Sequence, residues 1–487
     1  MSSNAIVVGT GLAGLTTTLE LLNKGISVTL IEKTGNFGGN SIKASSGING
    51  VPTQYQNDKG DTVDFFIDDI LKSGKGLSNK DLVEVLARNS REAINWLTGA
   101  DNGIDLSLVN QLGGHSHART HRGSGKLPPG FAIISALTKK IEQLSLESDK
   151  LTILKNSRLD SILNDKNNIV KGIEYITEGD TVKKSLNSDI VVLATGGFSA
   201  DFTKSSSLLA KYRPELIDLP STNGQQTTGD GQKIAHRDVN ANLIHMEHVQ
   251  IHPTGFIQLQ KDPNAKWKFL CGELMRGIGG VLISPETGSR FINELNTRDK
   301  VTEAIENSCK ISHNELGINP NSQVALIVVN KEDYLKATNH IGFYMSQGLM
   351  YKSTISGLQE VITKLNPNVS KNAILQTLTD YGNLIKSQSD DDIFGRKTFG
   401  DGFDSISLDT EVYYGLVTPV LHFSMGGIEI NKFGEVFNEK GDIVKNLFAV
   451  GEVSGGLHGY NRLGGNSLLE CVVFGKVVAK RIQEILN

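Results

Sequence analysis

Residues 4–32 of this chain read NAIVVGTGLAGLTTTLELLNKGISVTLIE, and this stretch decides the fold class. A short β-branched strand leads into the pattern GxGxxG, formed by Gly9, Gly11 and Gly14. The strand covers residues 5–8, apolar residues at helical spacing follow over residues 12–24, and a second strand covers residues 26–31, directly before Glu32. A strand, a glycine-rich turn, a helix and a second strand in this order are typical of the βαβ unit that binds a dinucleotide. We therefore predict an α/β protein with a Rossmann-like domain.

The three glycines and the glutamate have separate physical tasks in such a unit. Gly9 permits the tight turn, Gly11 lets the backbone approach a pyrophosphate, and Gly14 lets the helix pack closely against the strand. The N-terminus of the helix offers unpaired N–H groups and the positive end of its dipole to the phosphates. Glu32 is placed to accept hydrogen bonds from ribose hydroxyls and would repel a 2′-phosphate.

The next segment, residues 33–50 (KTGNFGGNSIKASSGING), indicates which dinucleotide is bound. It is a second loop rich in glycine and hydroxyl groups, which a domain that binds only NAD does not need. A flavin dinucleotide has a longer body of diphosphate, ribityl chain and ring system, and a second loop can wrap around it. The segment therefore favours FAD.

The composition of the 487 residues excludes several classes of protein. Lys and Arg (49) nearly balance Asp and Glu (53), so bulk charge gives no sign of a nucleic-acid partner or a membrane surface. Glycines number 52, whereas prolines number only 11; a usual glycine content would give roughly 34. This surplus is not low-complexity sequence, and it indicates many tight turns or close approaches of backbone to a ligand.

Cysteine spacing and hydropathy indicate a compartment. Cys271, Cys309 and Cys471 are far apart, which is not the spacing of a disulfide framework, a zinc site, a haem attachment or an iron–sulfur cluster. No apolar stretch of about 18 residues predicts a membrane helix, and no targeting segment is recognisable before the first strand. We expect a cytoplasmic protein with no membrane partner.

Further motifs are spread over almost the whole chain. They are DIVVLATGGF at 189–198, TTGDG at 227–231, LFAVGE at 447–452 and HGYNRLGGNSL at 458–468. Together with the first unit, they resemble in type and order the FAD-binding flavoproteins of the fumarate reductase and succinate dehydrogenase family. The runs QLGGHS at 111–116 and RTHR at 119–122 are similar to those of the soluble fungal fumarate reductases in that family.

The resemblance implies FAD as the cofactor, held by residues from both ends of the chain. The implied FAD-binding residues are Gly9, Gly11, Ala13, Gly14, Glu32, Lys33, Gly39, Asn40, Ser41, Ser46, Gly47, Gly196, Asp230, Glu452, Ser467 and Leu468. Membrane-bound relatives attach FAD covalently to a His in the first loop, whereas this sequence has Asn40 at about that place. We therefore expect FAD to be bound non-covalently.

A helix is predicted over residues 467–486, with Asn466 or Ser467 as its N-cap. The resemblance implies that its N-terminus points at the N1/C2=O edge of the flavin. The positive end of the helix dipole would stabilise the anionic reduced ring there.

The resemblance also implies a site for fumarate, which carries a carboxylate at each end and therefore needs donors or cations at both ends. The implied substrate-binding residues are His252, Gly272, Glu273, His422, Arg462, Gly465 and Ser46. His252 and the backbone near Gly272 and Glu273 would hold one carboxylate, and His422 and Arg462 the other. Some relatives have Thr in place of Gly272, with its hydroxyl on the substrate, and that contact is absent here.

Catalysis by resemblance needs hydride from flavin N5 and a proton from Arg298, with Glu273 and Arg276 as the relay to solvent. Arginine is ordinarily always protonated. The acceptor, however, is a strongly basic, carbanion-like centre, so Arg298 needs to release its proton only fleetingly. Arginine also stays cationic at any working pH and stabilises developing charge. Glu273 and Arg276 are three residues apart, so one turn of helix would bring them together.

Three histidines, His115, His117 and His121, lie close together in the sequence and suggest a metal. No convergent set of further ligands accompanies them. The resemblance places this loop near the flavin, and we predict no metal site.

The order of the motifs predicts a discontinuous FAD-binding domain. We assign residues 1–246 and 422–487 to it and residues 247–421 to an inserted α+β capping domain, which would exclude water during hydride transfer. Within the insertion we expect a helix over 297–307, helices near 357–366 and 370–387, and a solvated turn at the three aspartates 390–392.

The sequence does not reveal the electron supply. It has no haem attachment motif, no iron–sulfur motif and no second complete GxGxxG domain for NAD(P)H. The predicted partners are fumarate and succinate together with a reduced flavin or an unidentified electron donor, and we expect a monomer.

Three other functions stay open at this point. They are a related reductase of another unsaturated acid, such as urocanate, an oxidase of the L-aspartate type, and a flavin-binding sensor or carrier without catalysis. Cationic groups at both ends of the site favour a dicarboxylate over urocanate. The presence of Arg298, Glu273 and Arg276 favours an enzyme over a sensor.

Overall fold

The computed structural model of this protein describes residues 3–203, 205–387, 392–403 and 406–487. The α-helices in these residues are α1 (Leu12–Asn23), α2 (Val63–Ser73), α3 (Lys80–Arg88), α4 (Ser90–Thr98), α5 (Pro129–Glu147), α6 (Leu208–Tyr212), α7 (Asp230–Val239), α8 (Leu274–Gly277), α9 (Arg298–Ser308), α10 (Lys331–Leu335), α11 (Thr338–Ser346), α12 (Ile355–Leu365), α13 (Ala373–Ser387) and α14 (Asn466–Leu486). Short 3₁₀ helices occupy Ser41–Lys43, Pro214–Leu216 and Gly451–Val453.

The strands of the same described residues complete the architecture. They are β1 (Asn4–Val8), β2 (Ser27–Ile31), β3 (Ile48–Asn49), β4 (Leu108–Asn110), β5 (Thr120–Arg122), β6 (Leu151–Leu154), β7 (Ser157–Asn164), β8 (Val170–Thr177), β9 (Lys184–Asn187), β10 (Ile190–Leu193), β11 (Leu243–Ile244), β12 (Val249–Phe256), β13 (Val281–Ile283), β14 (Ala325–Asn330), β15 (Tyr351–Thr354), β16 (Glu411–Ser424), β17 (Gly427–Glu429), β18 (Glu435–Phe437), β19 (Ile443–Ala449) and β20 (Ser454–Gly455).

The central sheet has the order β18-β19-β10-β1-β2-β6, and all its pairs except β18–β19 are parallel. Strands β1 and β10 are short, apolar and buried along almost their whole length, as is typical of a parallel sheet covered on both faces. The carboxyl ends of β1, β2, β10 and β19 lead into Gly9, Glu32, Ala194 and Val450. Four loops from distant parts of the sequence therefore meet at one edge of this sheet, the usual place for a ligand.

The middle of the chain forms a second, antiparallel sheet. Strands β12, β16, β14 and β13 follow one another in it, and β15 also pairs with β16. Helices α8 to α13 come from the same part of the sequence, and their apolar residues contribute to two cores separate from that of the parallel sheet. This arrangement confirms the predicted fold class, whereas the domain boundaries at 247 and 421 stay predictions.

Three local predictions differ from the structure. The N-cap of α14 is Gly465, not Asn466 or Ser467; it adopts φ 81°, and an added Cβ would lie 2.4 Å from Asn49 Oδ1. Asp392 is not solvated but buried, with its carboxylate 2.8 Å from the Arg290 guanidinium, while residues 390 and 391 lie outside the described residues. The helices predicted near 357–366 and 370–387 begin and end at slightly different residues, as given above. None of the helices in the described residues combines the length and apolar character of a membrane-spanning helix.

Candidate active site

A cavity of about 700 Å³ opens at the carboxyl edge of the parallel sheet and extends to the antiparallel sheet. The predicted cofactor-binding residues that line it are Gly9, Gly11, Ala13, Glu32, Lys33, Gly39, Asn40, Ser41, Ser46, Gly47, Gly196, Asp230, Glu452, Ser467 and Leu468. Gly14 does not line the cavity, because it packs against the turn, where an added Cβ would lie 1.9 Å from the Gly9 carbonyl oxygen. One continuous space therefore joins the residues predicted for the dinucleotide.

The Glu32 carboxylate is fixed by its neighbours at the nucleotide end of the cavity. It accepts hydrogen bonds from the backbone N–H and hydroxyl of Thr34 (2.7 and 2.9 Å) and from the backbone N–H and hydroxyl of Thr10. Lys33 bridges to the far side of the cavity, with Nζ 2.9 Å from an Asp230 carboxylate oxygen. The sequence pattern identified Glu32, Lys33 and Asp230 but not the two threonines that orient the glutamate.

Asn40 joins the first loop to residues 223–227. Its amide nitrogen donates to Asn223 Oδ1 (2.5 Å) and Thr227 Oγ1 (2.7 Å), and its oxygen accepts from the Gly224 N–H (2.9 Å). Ser41 Oγ accepts from the N–H of Leu12 at the N-terminus of α1. Asn40 stands at about the place of the histidine that binds FAD covalently in relatives. Here it connects two loops by hydrogen bonds.

Glu452 is a buried acid on the cavity wall. One of its carboxylate oxygens accepts from the backbone N–H (2.9 Å) and hydroxyl (3.0 Å) of Ser424. Burial raises the pKa of Glu452 to about 7, although the Ser424 hydrogen bonds and Arg462 act in the opposite direction. Glu452 is therefore partly protonated near neutral pH.

The raised pKa of Glu452 predicts a pH dependence of stability. The folded protein keeps a proton on Glu452 that the unfolded chain loses above about pH 4.5, so this group's contribution falls as pH rises from about 4.5 to 7. The free energy of unfolding of the apoprotein should therefore fall by about 3 kcal/mol less over this range in Glu452→Gln than in the wild type. Urea denaturation between pH 5 and pH 8 measures it, with exposed Glu439→Gln as the matched control. Identical pH profiles for wild type and Glu452→Gln would contradict the assignment.

Two neutral histidines face each other where the cavity meets the antiparallel sheet. The rings of His252 on β12 and His422 on β16 have centroids 5.1 Å apart. Burial and the nearby arginine cations hold both pKa values well below the usual range. His252 Nδ1 accepts the Thr254 N–H (3.2 Å), so its proton is on Nε2, which has no partner in the described part of the chain. His422 Nδ1 lies 2.8 Å from Thr222 Oγ1. His252 thus presents a free N–H donor.

Arg298, the first residue of α9, is held by two acceptors. Its Nε and Nη2 lie 3.0 and 2.9 Å from Glu273 Oε2, and its Nη1 donates to Gln250 Oε1 (2.8 Å). The second oxygen of Glu273 accepts the backbone N–H of Gly113 (2.6 Å). Burial would raise the pKa of Glu273, but Arg298 and Arg276 hold it below its usual value, so the carboxylate is ionised. Gln250 and Gly113 belong to motifs visible in the sequence, yet no spacing rule connects them to Arg298.

Two further arginines are buried with unpaired donors. Nη1 of Arg276 donates to the Glu294 carbonyl oxygen (2.6 Å), while its Nε and Nη2 have no partner within the described residues. The Arg462 guanidinium lies 4.3 Å from the Phe423 ring centre, and its Nε is equally without a partner. Burial lowers the pKa of Arg276 and lowers that of Arg462 to about 9, so both stay cationic at neutral pH.

Ion pairing leaves two arginines of this cluster without a carboxylate partner. Among the described residues, Arg298 pairs with Glu273, whereas Arg276 and Arg462 form no ion pair and keep unpaired donors. A buried cation without a partner is unfavourable unless a counter-charge is supplied. The arrangement therefore suits an anionic ligand.

The predicted substrate residues divide into two layers. Arg298, His422, Arg462, Gly465 and Ser46 line the cavity itself. His252, Gly272, Glu273 and Arg276 do not line it; they are buried around it. Glu273 forms its ion pair with Arg298 and not with Arg276, because the Arg276 guanidinium turns toward the Glu294 carbonyl. The structure thus brings both predicted layers to the same end of the cavity.

The three histidines of the 115–121 segment do not converge. His115 Nε2 contacts the Gly464 carbonyl (3.0 Å), His117 Nδ1 contacts Asp58 (2.6 Å), and His121 Nε2 contacts Thr53 (2.7 Å). Across the described residues, no group of three or more His, Cys, Asp or Glu side chains is arranged to hold a metal ion.

Comparisons with known proteins agree with this geometry. The sequence model of the FAD_binding_2 family, described as an FAD binding domain, matches residues 4–468. The chain is 42% identical to fumarate reductase 1 of Saccharomyces cerevisiae over 99% of its own length and 98% of that protein. It is 38% identical to a fumarate reductase of Schizosaccharomyces pombe, over 98% of this chain and 89% of that one. Among solved structures, the open conformation of a flavocytochrome c3 fumarate reductase is similar, with a TM-score of 0.74 and 31% identity over 99% of this chain and 78% of that chain.

Proposed function

We propose, on the premise that this chain belongs to the FAD binding domain family, that it is an FAD-dependent reductase that converts fumarate to succinate. The observation that supports the substrate class is that Arg276 and Arg462 are buried at one end of the cavity with unpaired donors and no ion pair among the described residues. Fumarate is a dianion and would supply two counter-charges. The two fungal relatives are named fumarate reductases and match the chain over nearly its full length.

The cavity suits FAD in shape and donor chemistry. Its wall includes the glycine turn at Gly9 and Gly11, before the N-terminus of α1, and the Thr195 hydroxyl, which is buried with no partner in the described chain. Glu32 would hold the adenosine ribose, Gly11 the pyrophosphate, and Glu452 the ribityl hydroxyls. The N-terminus of α14 would face the flavin ring. We expect this binding to be non-covalent, since Asn40 replaces the histidine of the covalent relatives.

When bound, FAD supplies the hydride for one alkene carbon. His252 Nε2–H and the backbone near Gly272 and Glu273 bind one carboxylate, and His422 and Arg462 bind the other, with Ser46 and Gly465 shaping the wall between them. Arg298 donates the proton to the second alkene carbon and stabilises the charge that develops there. Glu273, already hydrogen-bonded to Arg298, returns a proton to it, and Arg276 continues the relay.

Succinate oxidation should be slow in this site. The reverse reaction needs a base to take a proton from succinate, and an arginine that stays protonated at neutral pH is a poor base. The fumarate-reducing direction is therefore favoured, and we propose that the enzyme is essentially irreversible in practice. The electron donor is a reduced flavin or another reductant, and the protein is a monomer. The cysteines at 271, 309 and 471, all buried and free, suit the cytoplasmic location expected from the sequence.

Anaerobic turnover of the purified holoenzyme tests the function. With dithionite-reduced methyl viologen as donor, we expect rapid oxidation of the dye with fumarate and little with the monoanions acrylate and urocanate, since these bring only one carboxylate to a site with donors for two. L-Aspartate in air serves as the matched oxidase assay. Peroxide formation there would favour an oxidase, a preference for urocanate would favour that reductase, and no turnover with fumarate would reject the proposal.

A further inference from the structure

Beside Gly272, the wall of the cavity carries two buried hydroxyl groups that come from distant parts of the chain. Ser45 follows the 3₁₀ helix of the first flavin-side loop, and Tyr344 lies on α11 beside the antiparallel sheet. Both residues line the cavity. The Tyr344 hydroxyl accepts the backbone N–H of Gly272 (3.0 Å), and the Ser45 hydroxyl lies beside it without a well-formed hydrogen bond of its own.

These hydroxyls occupy the space that a side chain at position 272 would take. A Cβ added to Gly272 would lie 2.7 Å from Ser45 Oγ and 3.3 Å from the Tyr344 oxygen. A contact of 2.7 Å is shorter than carbon and oxygen atoms tolerate, so a threonine at 272 conflicts with Ser45 as it stands. The hydroxyl that some relatives carry at this position is therefore absent, but two hydroxyls are present in its place.

The Tyr344 hydroxyl retains a proton to donate, and the Ser45 hydroxyl, which lies beside the Tyr344 oxygen, can turn its proton from that oxygen to a ligand. Tyr344 accepts from Gly272, so its own O–H is free to point elsewhere. Burial raises the pKa of Tyr344, which keeps this group protonated at working pH. A buried donor without an acceptor is unfavourable, and a carboxylate is the strongest acceptor available for it.

The same wall carries the free N–H of His252. The backbone of Thr254 accepts from the Cys271 N–H (3.0 Å), and the Thr254 hydroxyl donates to the Cys271 carbonyl (3.0 Å). Because His252 is two residues before Thr254 on β12, this pairing places it near Gly272. Three donors, from His252, Ser45 and Tyr344, thus belong to one end of the site.

We propose that Ser45 and Tyr344 donate hydrogen bonds to the fumarate carboxylate at the His252 end, in place of the side-chain hydroxyl that position 272 lacks. The inference rests on the proposed function and names specificity residues for it that the sequence motifs did not reveal. Ser45 comes from the flavin side and Tyr344 from the antiparallel-sheet side, so the bound carboxylate bridges the two parts of the chain.

Single substitutions test the contact directly. A hydrogen bond to a charged group is worth about tenfold to a hundredfold in affinity. We expect Ser45→Ala and Tyr344→Phe each to raise the KM for fumarate and the Kd for succinate by about tenfold or more, with FAD content unchanged. The Kd is measured from the flavin absorbance change when succinate is added to oxidised holoenzyme. Ser346→Ala is the matched control, because this exposed hydroxyl on α11 only contacts the Phe343 carbonyl.

Moving a hydroxyl from position 45 to position 272 tests whether Ser45 takes the place of a side-chain hydroxyl at 272. Gly272→Thr alone should weaken succinate binding because its Cβ meets Ser45, whereas Gly272→Thr combined with Ser45→Gly should bind succinate more tightly than either single variant. This comparison stays informative even if Tyr344→Phe disturbs folding. Two results would overturn the inference while leaving fumarate reduction intact. One is a wild-type Kd for succinate in both Ser45→Ala and Tyr344→Phe. The other is that Gly272→Thr combined with Ser45→Gly binds succinate no more tightly than either single variant. A wild-type protein that neither binds succinate nor reduces fumarate would overturn both.

Discussion

Replacing Arg298 with alanine should lower kcat for fumarate by at least about a thousandfold while the protein still binds FAD. General acid catalysis contributes about 10² to 10⁴ in rate, and in the proposed mechanism the same guanidinium also stabilises the developing charge. Arg298 lines the cavity, and its guanidinium is bound to Gln250 and Glu273, away from the residues at the nucleotide end. Steady-state kinetics with reduced viologen, combined with the flavin absorbance spectrum, measures both parts of this expectation.

Arg298→Ala also removes the ion-pair partner of Glu273, which is fully buried, so a control must separate lost stability from lost catalysis. Breaking such a pair destabilises a protein by about 3–5 kcal/mol. We therefore expect Arg298→Ala combined with Glu273→Gln to recover stability but not activity. Lys300→Ala, two residues further on the exposed face of α9, should keep both. Near-normal turnover in Arg298→Ala with bound FAD would show that another group supplies the proton.

The second large effect is expected at the glycine-rich turn. There, alanine substitutions of two glycines should impair the protein for different reasons, one through stability and the other through FAD binding. Gly14→Ala places a Cβ 1.9 Å from the Gly9 carbonyl oxygen, and backbone atoms cannot yield as a side chain can. We expect the apoprotein to lose about 3 kcal/mol or more of stability, or to fail to fold. Urea denaturation of apoprotein measures this loss.

Gly11→Ala is the matched comparison within the turn. At Gly11 the backbone has φ −64°, and the nearest atom to an added Cβ is Ser41 Oγ at 3.6 Å, an ordinary contact. Apoprotein stability should change by less than about 1 kcal/mol, because alanine fits this conformation. FAD affinity should fall by about tenfold or more, since the new methyl group faces the pyrophosphate. Equal effects of both substitutions on apoprotein stability would contradict the separate tasks assigned to them.

The sequence predicted the fold of the nucleotide end well, because the relevant signals are local. A strand of four or five buried residues, glycines at fixed spacing and a helix of apolar period all follow from neighbours in the chain. The bounds observed for β1, α1 and β2 differ from the prediction by one residue at most. Motifs near both termini predicted a discontinuous FAD-binding domain, and in the structure β10 lies between β1 and β19 in one sheet.

The contacts of the catalytic cluster were decided only by the tertiary structure. Spacing suggested that Glu273 pairs with Arg276, yet its partner is Arg298, 25 residues further on, because α9 brings that guanidinium between Glu273 and Gln250. The sequence motifs likewise did not predict the contacts of four other residues: Gln250, Gly113, Ser45 and Tyr344. Their roles depend on distances between side chains that are far apart in the sequence, and periodicity informs only about near neighbours. The sequence by itself determined which groups are present and what binds at the turn. The packing of the two sheets decided which groups meet, and therefore which buried arginines keep donors for an anionic ligand.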